Sequence, residues 1–226
     1  MKNKILLLGG SGDIGYAIGE QFKKNGFELI APTLKELDLS NLNSIENYIK
    51  SVDFSNLSTI VHCAGINNPK PFEQNTMLDF TNTMMVNTFG FARICQLLFG
   101  ELKKNDGGYV LAISSIYGSI SRSGRSTYST SKHALNGLVK TIAIEWGQYN
   151  IKVNTLSPGF VDTQLTRKNN SQEKIDELSA STSLGRMANV EEIANVAFFL
   201  CSAQNKYITG QDIVVDGGYL AGAYQK

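Results

Sequence analysis

Lys4-Ile5-Leu6-Leu7-Leu8-Gly9-Gly10-Ser11-Gly12-Asp13-Ile14-Gly15 is the stretch that decides the fold. Residues 4–8 are short and, from Ile5 on, continuously apolar, as in a strand covered on both faces. Glycines follow in two overlapping patterns, Gly10-x-Gly12-x-x-Gly15 and Gly9-x-x-Gly12-x-x-Gly15. Ile14, Ala17, Ile18 and Phe22 then recur at helical spacing, and Asn25-Gly26 stops that helix. The glycines alone fit any tight turn. Between a buried strand and an amphipathic helix they gain a specific meaning. The backbone can approach a pyrophosphate there, and the helix N-terminus offers free N–H groups and a positive dipole end.

Outward from this unit the same alternation continues. Strands are expected over 27–31, 59–64, 109–114, 151–156 and 213–216, and helices over 44–51, 78–103 and 126–149. A further helix starts at Asn189, where Glu192 completes a capping box. Apolar strands alternating with helices predict an α/β fold, a doubly wound (Rossmann) parallel sheet with helices on both faces. Ligands of such sheets sit outside the carboxyl ends of the strands, where the chemistry-bearing motifs of this chain also fall.

The 226 residues are 42% hydrophobic, enough for one core, and no linker, charge block or repeat divides them. One domain over 1–226 is expected, with a cofactor-binding half over about 1–105 and a catalytic half over about 106–226. Twenty-one basic and 20 acidic residues leave a net charge of +1 without a basic stripe, so no nucleic-acid partner is expected. Met1-Lys2-Asn3-Lys4 leads into an apolar run too short for a signal peptide, and the longest apolar run, 196–201, is far below the ~18 residues of a membrane span. A soluble, cytoplasmic protein with no membrane partner is the expectation. Cys63, Cys95 and Cys201 are far apart, each in an apolar segment, and read as buried free thiols. His62 and His133 have no second ligand at metal spacing, so no metal is expected. No Gly-x-Ser-x-Gly elbow points to a hydrolase.

Tyr128-Ser129-Thr130-Ser131-Lys132 places Tyr and Lys at i and i+4 on one helix face. A free phenol, with a pKa of ~10, is a poor acid or base at neutral pH, and a nearby ammonium favours the phenolate. Such a pair can protonate a nascent alkoxide or deprotonate an alcohol. Ser115 ends the preceding strand, where its hydroxyl could hold a substrate oxygen. Nucleotide choice is less marked. The second strand ends Ala31-Pro32-Thr33-Leu34-Lys35, without the carboxylate that usually meets a ribose 2′-OH. Lys35 could meet a 2′-phosphate or simply be solvated. It tips the expectation toward NADP(H), with NAD(H) left open.

With Ser114-Ser115 and Tyr128-x-x-x-Lys132 in order, the chain resembles the short-chain dehydrogenase/reductase family nearly end to end. It is most similar to bacterial 3-oxoacyl-carrier-protein reductases and related carbonyl reductases. The resemblance implies Ser115, Tyr128 and Lys132 as catalytic residues. It adds Asn87, in Val86-Asn87-Thr88, as the residue that organises a proton-relay water near the lysine. It implies a cofactor site of Gly9, Ser11, Gly12, Asp13, Ile14 and Gly15, with Thr33 at the end of the second strand and Asp38 and Leu39 toward adenine. Cys63, Ala64 and Gly65 stand where the family has Asn-Ala-Gly, and Pro158, Gly159, Val161 and Thr163 where it holds the nicotinamide. Tyr128 and Lys132 complete that site, with Lys132 on the nicotinamide ribose. The implied activity is hydride transfer between NADP(H) or NAD(H) and a small-molecule carbonyl or secondary alcohol, as in 3-oxoacyl-thioester reduction, by a homotetramer or homodimer. A keto-sugar or polyol enzyme, or a nucleotide-binding regulator without catalysis, are the alternatives.

Two departures stand out. Asp13 occupies the place of the family's middle glycine. It is expected to point away from the pyrophosphate and cap the helix N-terminus. Residues 32–38 are compressed, as though a helix and most of a strand were missing. Beyond the core set, Tyr117 reads as pocket lining or packing and Trp146 as core or interface. Arg122, Arg125, Arg167, Lys168 and Arg186 read as a basic rim for a phosphate, carboxylate or carrier-protein substrate, or as solvated charge.

Overall fold

The structure is a computed structural model that describes residues 3–105 and 107–223. Met1 and Lys2, used in reading the N-terminus, lie outside the described residues. β1 (Lys4–Leu8) is buried along its whole length. Successive side chains point to opposite faces of a strand, so Leu6 and Leu8 enter one core and Ile5 and Leu7 the other. α1 (Asp13–Lys24) follows and buries Ile18 and Phe22 against the second core.

β2 (Glu28–Ile30), β3 (Leu57–His62), β4 (Gly108–Ile113), β5 (Ile151–Pro158) and β6 (Asp212–Val215) join β1 in one sheet. Its order among the described residues is β2-β1-β3-β4-β5-β6, every neighbouring pair parallel. This is the doubly wound architecture expected. The chain reverses its direction of travel across the sheet between β1 and β3. At that point Leu8, His62 and Ala112 lie in register, so three strands end side by side. One core packs beneath Phe91, Ile94 and Leu98 of α4 (Gly90–Lys104) and Leu135 and Val139 of α5 (Ser126–Trp146). The other packs beneath α1 and α8 (Val190–Leu200), through Phe22, Ile193, Ala197 and Leu200. Trp146 belongs to the first core, stacked on Phe99 at 4.8 Å.

The compressed segment leaves β2 as a three-residue edge strand. Residues 32–41 form turns, and Leu37 and Leu39 are buried in the first core without joining the sheet. α2 (Leu42–Ser51), capped by Asn41, then crosses back to β3. Leu39 comes so close to the start of α4 that a Cβ on Gly90 would stand 2.5 Å from its carbonyl oxygen.

The helix expected over 78–103 is interrupted. α3 (Met77–Met84) passes into a π-helical turn, Met85–Phe89, before α4. The residue inserted there is governed by contacts with β3 and α5, which apolar periodicity does not register. Two helices escaped the periodic pattern, α6 (Gln164–Asn169) and α7 (Gln172–Ala180). Their signals were caps: Thr163 accepts from the Thr166 N–H and Ser171 from the Lys174 N–H. The capping box of Asn189 and Glu192 forms as expected. Among the described residues no helix is long and apolar enough to cross a membrane.

Candidate active site

Ser115 stands two residues beyond the end of β4. Its extended backbone (φ −170°, ψ 159°) turns the chain into the 3-10 segment Ile116–Gly118, and its Oγ accepts the Tyr117 N–H at 3.2 Å. Tyr128 and Lys132 enter from the first turns of α5. The Ser115 hydroxyl stands close enough to the Tyr128 phenol to favour its ionised form, and Tyr117 meets the Tyr128 ring edge-on at 6.4 Å. Lys132 is buried. Its Nζ donates to the Ile113 carbonyl at 2.8 Å and stands 5.6 Å from the centre of the Tyr128 ring. The i, i+4 spacing thus brings both side chains to the end of β4.

The electrostatics differ from the expectation. Burial raises Tyr128 above its ordinary pKa, opposed by the nearby Ser115 hydroxyl and the Arg125 charge. The Lys132 ammonium, bonded to the Ile113 carbonyl and 5.6 Å from the ring centre, does not outweigh that burial. Burial pushes Lys132 down to about 8, against a smaller upward pull from Cys63. At neutral pH this leaves a protonated phenol beside a mainly cationic lysine. A protonated phenol is the state a general acid needs.

Asn87 is fully buried in the π-helical turn. Its Nδ2 donates to the Ile66 carbonyl at 3.0 Å and to Ser131 Oγ at 2.9 Å, and its Oδ1 accepts the Ile66 N–H at 2.8 Å. The side chain therefore clamps the turn after β3 to the residue before Lys132. Both Nδ2 protons are committed to protein, and Oδ1 keeps one lone pair beyond the Ile66 N–H.

Two hollows meet beside this group. A cleft of about 530 Å³ runs along Leu8, Gly9, Ser11 and Gly12 to Asp38 and Leu39, with Cys63, Ala64 and Gly65 opposite. A second, of about 310 Å³, holds Ser115, Tyr128 and Lys132 with Ile14, Pro158, Gly159, Val161 and Thr163. Cys63 and Gly65 line both, so the two are continuous. Gly9 makes the junction possible: its φ is +82°, and a Cβ there would lie 2.5 Å from the Ala64 backbone nitrogen. Gly12 caps α1 and has no side chain to do so, leaving the first N–H groups of the helix for an anion. A long cleft with a glycine-lined waist at a helix N-terminus suits two apolar ring systems joined by a pyrophosphate. Gly15 and Thr33 lie off this track, around a smaller hollow of about 220 Å³ between α1 and β2.

Asp13 does not cap its own helix. It occupies the first helical position, and its carboxylate accepts the Gln164 N–H, at the start of α6, at 2.6 Å. It thus points away from the glycine turn, as expected, but ties the segment after β5 to it. At the other end, Asp38 Oδ1 accepts from the Ser40 N–H and hydroxyl at 2.8 and 2.7 Å. Beyond the second strand, Glu36 folds back to accept the Thr33 N–H and hydroxyl at 2.8 and 2.9 Å. Those bonds hold Glu36 below its ordinary pKa. The turn at 33–36 brings this carboxylate back to Thr33, three residues beyond the end of β2. Of the basic residues, Arg167 pairs with Asp162 and Arg186 binds Glu192 through both carboxylate oxygens, at 2.7 and 2.8 Å. The Arg122 charge acts weakly on Glu177 of α7, and Arg125 stands near enough to influence Tyr128. The sequence reading missed a second polar group: Asp212 accepts from Thr155 and Ser157 hydroxyls at 2.9 and 2.6 Å and from Asn136 at 3.1 Å.

The family profile described as enoyl-(acyl carrier protein) reductase matches residues 28–220. The 3-oxoacyl-[acyl-carrier-protein] reductase of Aquifex aeolicus is 32% identical over 95% of this chain and 86% of its own length. The chloroplastic tropinone reductase homologue At2g29260 of Arabidopsis thaliana is 30% identical over 87% of the chain, which spans 62% of the length of that relative. A solved structure of 4-hydroxyisoleucine dehydrogenase complexed with NADH superimposes with a TM-score of 0.91 at 28% identity, covering 98% of this chain and all of that one.

Proposed function

This chain belongs to the short-chain dehydrogenase/reductase family, and on that premise we propose that it transfers hydride between a nicotinamide cofactor and a carbonyl or secondary alcohol. The observation that carries the proposal is the Tyr128 phenol, kept protonated by burial beside Ser115 and Lys132 in a hollow that adjoins a glycine-lined cleft. In the reductive direction the Ser115 hydroxyl donates to the substrate carbonyl oxygen and fixes its place. Tyr128 hands its proton to that oxygen as negative charge develops on it. Lys132 then supplies the positive field that stabilises the phenolate left behind, and grips the ribose of the bound nucleotide. Asn87 keeps Ser131 and Lys132 in position from below. The nicotinamide, when bound, supplies or receives the hydride. Gly9, Ser11 and Gly12 with the N-terminus of α1 would hold the pyrophosphate, and Asp38 and Leu39 the adenine side. Pro158, Gly159, Val161 and Thr163 would hold the nicotinamide amide.

NADP(H) and NAD(H) are both accommodated by this scheme, with Lys35 exposed and Glu36 bonded to Thr33 in the turn after β2. The substrate class we propose is a 3-oxoacyl-thioester-like ketone. Arg167 and Arg186, which would encourage a keto-sugar, are engaged with carboxylates. The proposal takes the chain as one domain, its sheet continuous across both halves. It includes a homotetramer or homodimer, supported by apolar Phe89, in the π-turn before α4, and Ile144 of α5, both exposed. A cytoplasmic home belongs to it as well, supported by three free cysteines. The test is a panel of acetoacetyl thioesters, keto-sugars and simple ketones with NADH and NADPH. Tyr128→Phe should lose turnover by at least about 1,000-fold while retaining nucleotide binding. Substantial residual turnover would sink the assignment.

A further inference from the structure

His62 is fully buried at the end of β3, and the proton transfer described above makes no use of it. Its Nε2 lies 3.1 Å from the backbone carbonyl oxygen of Asn87, inside the π-helical turn. A carbonyl only accepts, so Nε2 carries the ring proton and Nδ1 is a bare nitrogen. That Nδ1 is buried and has no hydrogen-bond partner among the described residues. The ring also lies flat on Phe91, with centroids 4.9 Å apart and planes within 8°. A phenyl ring would fill this space and stack as well, without an unpaired buried nitrogen. The imidazole carries that standing penalty, and what it gains is a single directed N–H aimed at Asn87.

The target of that N–H occupies a pivotal place. A π-turn is where an outside donor can enter the helical ladder. The turn is held from α5 as well: the Asn87 amide donates to Ser131 Oγ at 2.9 Å, and the Thr88 hydroxyl to the Ser131 carbonyl at 3.0 Å. Ser131 in turn donates to the Tyr128 carbonyl at 2.7 Å and immediately precedes Lys132. β3, the π-turn and the catalytic turn of α5 are thus linked hydrogen bond by hydrogen bond. Burial, and then the Lys132 charge, press His62 down to about 3, so the ring remains a neutral donor at working pH.

We propose that His62 is a positioning residue of the reaction centre, its Nε2–H holding the Asn87 carbonyl and with it the π-turn that seats Ser131 and Lys132 against Tyr128. This rests on the reading of Tyr128 and Lys132 as the proton-transfer pair. Two substitutions separate the donor from the packing. His62→Phe keeps the flat ring and removes the N–H, whereas His62→Gln keeps an N–H near the place of Nε2 and removes the ring. His62→Phe should lower kcat about tenfold or more, with the cofactor KM within about threefold of wild type. It should also move the titration midpoint of the Lys132 ammonium, followed by nitrogen NMR, away from its wild-type position at about 8. His62→Gln should return both to near wild type.

Unchanged kcat and an unmoved Lys132 midpoint in His62→Phe, with only a lower melting temperature, would overturn the proposal in favour of simple packing. A His62→Gln variant as impaired as His62→Phe would overturn it too. Should His62→Phe fail to fold, the wild-type ring decides. Nitrogen shifts must report the neutral Nε2–H tautomer between about pH 5 and pH 9, and the opposite tautomer or a titration in that window would refute it. Full turnover in Tyr128→Phe would instead remove the proposed function, and the Lys132 midpoint would still test His62 without reference to turnover.

Discussion

Lys132→Met should abolish turnover and, at the same time, stabilise the folded chain at pH 7. Burial takes the ammonium from an ordinary pKa of 10.5 to about 8. At about 1.4 kcal/mol per pH unit, this corresponds to about 3 kcal/mol disfavouring the charged form in the folded state. The folded-state pKa lies below the unfolded one, so the penalty is complete below about pH 8. Between about 8 and 10.5 the unfolded chain keeps a proton that the folded chain has released, and wild-type stability rises with pH. Methionine fills a similar volume with no charge. It also deprives the Ile113 carbonyl of the donor at 2.8 Å, a loss of about 1 kcal/mol. The variant should therefore be more stable by about 2 kcal/mol at pH 7, with the difference fading toward pH 10.5. Urea unfolding at several pH values, followed by the fluorescence of Trp146, measures this directly. A variant less stable than wild type at pH 7, or a difference that stays constant up to pH 10.5, would refute the reasoning. A stable but inactive variant would show a charge retained for chemistry at the expense of the fold.

Three further outcomes follow from single contacts. Asp13→Ala removes the acceptor 2.6 Å from the Gln164 N–H, so the segment after β5 should loosen and the cofactor KM rise about threefold to tenfold, with kcat less affected; steady-state kinetics against cofactor concentration reads the split, and an unchanged KM counts against the tether. Glu36→Gln removes the negative charge beside Thr33 and should raise the NADPH-to-NADH ratio of kcat/KM about fivefold; an unchanged ratio would place the ribose away from this turn. Gly90→Ala would bring a Cβ to 2.5 Å from the Leu39 carbonyl and should cost about 1–3 kcal/mol in thermal or urea unfolding. Wild-type stability in that variant would mean that the compressed segment does not rest on α4.

Much of the architecture is legible locally. β1 is read with its observed ends, and the stop at Asn25-Gly26 and the capping box at Asn189 are present as expected. Each depends on residues within a few positions of one another, whose backbone preferences and hydrogen bonds act without the rest of the chain. The pairing of Tyr128 with Lys132 is equally local, because the helical repeat alone puts them on one face. Weakly apolar elements were less visible. α6 and α7 bury few side chains, so caps rather than periodicity announce them.

What the sequence determined by itself is therefore the doubly wound fold, the glycine turn at the start of α1, and the order of Ser115, Tyr128 and Lys132 along the chain. What only the tertiary structure decided depends on partners distant in sequence. Asp13 meets Gln164 across 151 positions, where a cap on its own helix was expected. Asn87 reaches Ile66 and Ser131, and His62 reaches Asn87, only because β3, the π-turn and α5 converge. The protonation of Tyr128 was decided at the same level. Sequence spacing names a nearby lysine, but burial sets the phenol's proton, and burial belongs to the packed molecule as a whole.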